Sequence, residues 1–160
     1  MTRKAGGIAV VLLLVAASAQ AEIRAAELRV NGLTCPFCAF GIEKKLRAVS
    51  GVEEVQVFLD EGRIELRFAD GNRAEARDID AAVEKAGFRL AGMRAEVRGT
   101  VSRDSTPLLL EAGGGVRFRL VADNGTRGDV QAASGEVVVR GSVRDPGSAL
   151  PALRVDSLEP

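Results

Sequence analysis

From Glu27 to about Ala91 the apolar residues change period in a fixed order, and that order leaves the chain few architectures. Leu28 and Val30 read as a short strand. Cys38, Ile42, Leu46 and Val49 then recur at helical spacing, with Pro36 suited to the first helical turn. Val55, Val57 and Leu59 alternate, as do Ile64, Leu66 and Phe68, and Asp60-Glu61-Gly62 between them is hairpin turn chemistry. Asp78 is placed as the N-cap of a second helix with the stripe Ile79, Ala82, Val83 and Ala86, and Gly87 as its C-terminal cap. Phe88 and Leu90 open a last strand. The order β-α-β-β-α-β predicts a ferredoxin-like fold, with two helices on one face of a four-stranded antiparallel sheet.

Beyond about Met93 the helical period disappears. Val97 and Val101, Leu108 to Leu110, Val116 with Phe118 and Leu120, Val137 with Val139 and Val143, and Leu153 with Val155 and Leu158 mark about five strands. Turn-rich stretches such as Gly113-Gly114-Gly115 and Asp123-Asn124-Gly125 separate them. The span is too short for a seven-stranded sandwich of ~100 residues but suits a small OB-like barrel. Arg98-Gly99-Thr100-Val101 and Arg140-Gly141-Ser142-Val143 echo each other, which reads as chance or as two strands each kinked by glycine at a barrel corner, ahead of a true internal repeat. The expectation is an α+β chain with a ferredoxin-like domain over 22–92 and an all-β barrel over 93–160.

The first 21 residues read as an address. Thr2-Arg3-Lys4 is a positive start, Ile8 to Ala17 is an uncharged apolar run, and Ser18-Ala19-Gln20-Ala21 has small residues at the cleavage positions. The run is shorter than the ~20 residues a spanning helix needs. A signal peptide over 1–21, cut after Ala21, makes the product exported, and periplasmic if the source is Gram-negative; an uncleaved anchor is the alternative reading of the same run. No cysteine marks a lipid anchor, so no stable membrane insertion is expected after cleavage.

Composition removes whole chemistries. The chain has no His, so it lacks a Ser-His-Asp or Cys-His pair, His-ligated zinc and an imidazole base. Equal numbers of basic and acidic residues, 22 each, argue against a nucleic-acid partner. The barrel adds no Cys or His, and its only aromatic is Phe118, so a stacking groove for single strands is absent too. No catalytic residue is assigned and a non-enzymatic protein is expected.

The chemistry rests on Cys35 and Cys38, three positions apart where the first strand meets the first helix. There the loop N–H groups and the positive end of the helix dipole point at the sulfurs and favour thiolates. A closed zinc site wants four ligands, whereas two thiolates suit Cu(I), or Hg(II), because soft ligands prefer soft ions. Such a two-sulfur unit stays open to a third thiolate, through which the ion can pass to a partner.

Gly32-Leu33-Thr34-Cys35-Pro36-Phe37-Cys38, with the βαββαβ pattern around it and Lys85-Ala86-Gly87-Phe88 after it, resembles the heavy-metal-associated domain of copper chaperones, metal-transporting P-type ATPases and periplasmic mercury-binding proteins. The resemblance covers about residues 27–91. It implies metal ligation by Cys35 and Cys38, with Cu(I) favoured and Hg(II) or Zn(II) as alternatives, and a metal transporter or another carrier as partner. Leu33 stands where that family most often has Met, in a position that packs under the loop. The resemblance puts Phe88 beside the loop as a shield and Lys85 near enough to offset a bis-thiolate charge, unless it is a solvated lysine.

Phe37 and Phe40, flanking the cysteines, are expected to pack or exclude water, although an exposed Phe37 would serve docking. Lys44, Lys45 and Arg47 could meet an acidic partner, but solvated surface is the commoner role of such a cluster. Glu53-Glu54 and Asp60-Glu61 read as solvated. Two other functions compete. A thiol–disulfide oxidoreductase also opens a helix with C-x-x-C, yet the strand order is wrong for it and no proline is placed to face the pair. In an adaptor, the barrel would do the main work. In an oxidising compartment the pair can close to a disulfide that blocks metal.

Overall fold

The computed structural model describes residues 22–160; the expected signal segment 1–21 lies outside the described residues. The chain opens with β1 (Glu22–Val30), α1 (Pro36–Arg47), β2 (Val52–Phe58), β3 (Arg63–Phe68), α2 (Ala76–Lys85) and β4 (Leu90–Ser102). These strands lie in the order β2-β3-β1-β4, all antiparallel, which is the expected ferredoxin-like arrangement. Leu28, Ile64 and Leu66 of the sheet and Ile42, Leu46, Ile79 and Val83 of the helices are all but inaccessible and share one core.

Two local expectations change. Asp78 does not cap α2: Glu75 is the N-cap, and Asp78, three residues on, accepts from the Glu75 N–H at 3.4 Å in a capping box. The helix therefore starts earlier, because Ala76 extends the apolar stripe into the first turn. Gly87 ends the helix as expected, at φ +86°, with its N–H on Glu84 O and the Phe88 N–H on Val83 O. β1 also reaches back well before Leu28. Its first residue, Glu22, is buried, accepts from the Gly71 N–H and pairs with Arg98, while buried Asn72 donates to Ile23 O and Ala69 O, both at 2.8 Å. These contacts, most of them long-range, give the Glu22 carboxylate and the Asn72 amide partners that burial would otherwise make costly to lack, while Arg98 Nε stays buried without one.

β4 continues without a break into the second half, so the expected junction at 92/93 falls inside a strand. It is followed by β5 (Leu109–Glu111), β6 (Arg117–Val121), α3 (Arg127–Ala132), β7 (Glu136–Arg144) and β8 (Ala152–Glu159). β4 pairs with β5, β5 with β6, β6 with β8 in parallel, β8 with β7, and β7 again with β4, which closes a ring of five strands. The middle of β4 is thus held on both edges: Met93 faces Leu28 and Val143, and Val97 faces Ile23 and Val139. Met93, Ala95, Val97, Gly99 and Val101 all turn to one buried face, so the helical layer and the ring interior form a single core.

The short helix α3 has no counterpart in the sequence reading. The turn at Asp123 leads into it: Asp123 Oδ1 accepts from the Gly125 and Thr126 N–H groups at 2.9 and 3.2 Å, which holds that carboxyl below its ordinary pKa. Arg103 donates to the Ala132 and Ala133 carbonyls at the other end. The echoed glycines have a steric reason. A Cβ on Gly99 would lie 2.7 Å from Glu111 O, and one on Gly141 would overlap the Arg154 carbonyl, where β7 and β8 slip register.

A methyl at Gly141 must push β7 from β8, so Gly141→Ala should destabilise the chain by about 1–3 kcal/mol. Because the core is shared, urea should melt the α1 and α2 helical signal in the same transition as the ring. A helical signal that keeps the wild-type midpoint would contradict the shared core.

Candidate metal centre

Strand register puts three segments at one end of the sheet. Val30 at the end of β1 faces Leu90, Arg29 faces Arg63, and the Val30 N–H donates to Gly62 O at 2.9 Å. The Cys35 loop, the β2–β3 turn and the α2–β4 junction therefore meet there. The role of Gly62 as an anchor for β1 was not foreseen, although a glycine closing a tight turn was the available signal.

The loop is built to start a helix. Gly32 takes φ +77°, and Leu33, only 1% exposed, plugs the core beneath the loop as expected of that position. Cys35 is the N-cap of α1, in extended conformation (φ −119°, ψ 140°), and Pro36 occupies the first turn, where its missing N–H costs nothing. Cys35 Sγ accepts from the Cys38 N–H at 3.2 Å, and Cys35 O accepts from the Ala39 N–H at 3.1 Å. The first turn of α1 contains no acidic residue, so its unpaired N–H groups and dipole act on the sulfurs unopposed.

Cys35 and Cys38 are brought together, with Cα atoms 5.2 Å apart and the sulfurs joined as a disulfide. Both are partly buried, and Cys38 packs against the core. Reduced, the same backbone offers two thiols over the helix N-terminus. Among the described residues no group of three or more Cys, His, Asp or Glu lies together in a way that could hold a metal ion.

Phe88 is half-buried and packs on the core, and Lys85 is exposed in the last turn of α2. The expectation that Phe37 and Phe40 pack is corrected: they are 91% and 70% exposed. Cys38, Ile42 and Leu46 occupy the inner side of α1, and the helical turn of ~100° per residue sends the two phenylalanines outward.

Comparison with known proteins places this two-thiol helix terminus on a ferredoxin-like sheet within a named class. The model of the heavy-metal-associated domain matches residues 27–89. The copper chaperone CopZ of Bacillus subtilis is 31% identical over 64 residues, which is 40% of this chain and 91% of that protein. Copper-transporting ATPase 2 of Rhizobium meliloti is 35% identical over 69 residues, but these are 43% of this chain and only 8% of the ATPase. A solved CopZ metallochaperone is 25% identical, with a TM-score of 0.39, over 42% of this chain and 98% of that one. The chain belongs to the heavy-metal-associated domain family.

Capping makes a further distinction testable. In a Cys38→Ser background under reducing conditions, Cys35→Ser keeps an N-cap acceptor and Cys35→Ala removes it. The alanine variant should be less stable by about 1 kcal/mol in urea denaturation, the usual cost of a lost cap. Equal midpoints would show that the residue at position 35 does not cap the helix.

Proposed function

We propose that this protein is a non-enzymatic soft-metal carrier that binds Cu(I) through Cys35 and Cys38 and exchanges it with a membrane transporter or another carrier. The observation that carries the reading is a pair of sulfurs at the N-terminus of α1, with no group of three or more Cys, His, Asp or Glu around them among the described residues. Binding replaces the two thiol protons by one Cu(I) and leaves a singly negative bis-thiolate, which the N–H groups of the first turn stabilise. The vacant side of the ion admits a thiolate from the partner, so transfer proceeds by ligand exchange. Family membership and the copper-related names of the relatives support copper; Hg(II) fits the same two sulfurs, and Zn(II) fits them less well for want of further ligands.

In this reading residues 1–21 are a signal peptide, the protein is exported, and residues 93–160 form a barrel of the OB type that shares β4 with the metal domain. The ring order, with its single parallel pair and the helix between β6 and β7, supports that class. No described helix is long and apolar enough to cross a membrane. The disulfide favours one further reading, thiol–disulfide exchange by the same pair.

Titration of the reduced chain with Cu(I), Hg(II) and Zn(II) against a competing chelator separates these. One Cu(I) per chain is expected, with affinity falling more than about a hundredfold in Cys35→Ser/Cys38→Ser, beyond the range that loss of an outer-shell partner reaches. Unchanged binding in the double variant would refute the site, and rapid turnover of a model disulfide without metal affinity would establish the oxidoreductase.

A further inference from the structure

The chain has three asparagines, Asn31, Asn72 and Asn124, and the fold treats each differently. Asn31 and Asn124 both precede a glycine, whose missing side chain leaves its backbone nitrogen open to attack the amide before it. Asn72 precedes Arg73 and is buried; its amide nitrogen donates to Ile23 O and Ala69 O, both at 2.8 Å, and its Oδ1 accepts from the Ala74 N–H at 3.1 Å. The Gly125 N–H after Asn124 is held by Asp123 Oδ1 at 2.9 Å. The Gly32 N–H after Asn31 meets no acceptor among the described residues. Asn31 and Gly32 are both exposed, and even a Cβ on Gly32 would meet nothing within 4 Å. Asp70 also precedes a glycine, but there the Gly71 N–H is bound to the Glu22 carboxylate.

Asn31 and Gly32 bridge two fixed points. On one side the Val30 N–H donates to Gly62 O at 2.9 Å and the Arg29 guanidinium donates to Glu61 O at 3.2 Å. On the other, buried Leu33 plugs the core, and the Thr34 N–H closes a turn onto Gly32 O at 3.0 Å, one residue before Cys35. A longer backbone between these points must move either Leu33 or the cysteine loop.

We infer that the bond between Asn31 and Gly32 is a site of spontaneous covalent modification, and that its isoaspartyl product displaces the loop that carries Cys35 and Cys38. The Gly32 nitrogen gives its proton to hydroxide and attacks Asn31 Cγ. The new N–Cγ bond closes a cyclic imide as the Cγ–Nδ2 bond breaks, and ammonia leaves with a proton from water. A second water then opens the imide. Addition at Cγ leaves an aspartyl residue at position 31, whereas addition at the backbone carbonyl of that residue routes the chain through Cβ and makes it isoaspartyl. Nothing is oxidised or reduced, and water and hydroxide are the only co-reactants. The isoaspartyl product lengthens the main chain by one methylene, and both products put an ionised carboxylate where a neutral amide stood. At Asn124 the same attack must first break a hydrogen bond to a carboxylate and then form an amide anion beside that charge. The modification site stands apart from the carrier reading; weaker copper binding by the displaced loop rests on it.

Ageing the reduced full chain at mildly alkaline pH tests this, with positions 31, 72 and 124 read in separate tryptic peptides and electron-transfer fragmentation telling isoaspartyl from aspartyl. Conversion at position 31 should run about tenfold or more ahead of position 124, with position 72 intact, and in urea the lead of 31 over 124 should shrink to near parity. The isolated isoaspartyl form should show shifted amide resonances from Leu33 to Ala39. Chelator competition should read its Cu(I) affinity as lower by about tenfold or more, as when a contact supporting a ligand is lost. Asn31→Gln, whose longer side chain closes a larger and slower ring, should age with neither change. Equal conversion at 31 and 124 in the folded chain would overturn the site. Unshifted loop resonances, or unchanged Cu(I) affinity, in the isoaspartyl form would overturn its effect on the loop. A fresh chain that holds no Cu(I), with position 31 still converting and the loop resonances still shifting, would overturn the carrier reading and leave the modification site standing.

Discussion

The structure depends on one strand serving two bodies. β4 completes the ferredoxin-like sheet along one edge and the five-stranded ring along the other, and its apolar side chains feed one continuous core. A strand held on both edges has no free backbone hydrogen-bonding groups in the doubly paired stretch, and its register is fixed twice over. The ring consequently closes the β4 edge of the metal domain, and its β7–β8 loop reaches α2, where a Cβ on Gly147 would lie 2.9 Å from Asp80 Oδ2. The pair of buried Glu22 with half-buried Arg98 ties the start of β1 to the same strand, so the first and last strands of the metal domain are locked together at the end away from the loop.

At the other end the constraint is the helix terminus. An α-helix begins with unpaired N–H groups, and here a sulfur takes the place usually filled by an oxygen of Ser, Thr or Asp. Cys35 caps the helix, and under the proposed function the same sulfur also presents a donor atom to an ion. Leu33 fixes the loop from below and Gly62 fixes the preceding strand from the side, so the two sulfurs sit on a rigid base although they lie at the surface.

Much of this was legible in the residues. The alternation of Ile64 with Leu66 and the spacing of Ile42 with Leu46 define elements because each buries only one face, and the cysteine spacing drew attention to the loop. What stayed hidden was either non-local or short. Met93, Ala95 and Val97 read as the start of a new strand set, since a sequence pattern marks a buried face without saying that two partners share the strand. Glu22 lies 76 positions from Arg98, and no local pattern carries a pair at that separation. The six residues of α3 span less than two turns, too few to display a period. Phe37 and Phe40 were expected to pack because aromatic side chains usually do, and only the orientation of α1 turns them to solvent.

The central claim is that the metal is held by two protein sulfurs and nothing else from the chain. X-ray absorption at the copper edge of the reduced, Cu(I)-loaded protein, in buffer free of competing thiols, addresses it directly. The account requires a first shell of two sulfur scatterers, lost together in Cys35→Ser/Cys38→Ser. A first shell with oxygen or nitrogen scatterers, or with three or more sulfurs in the monomer, would contradict it.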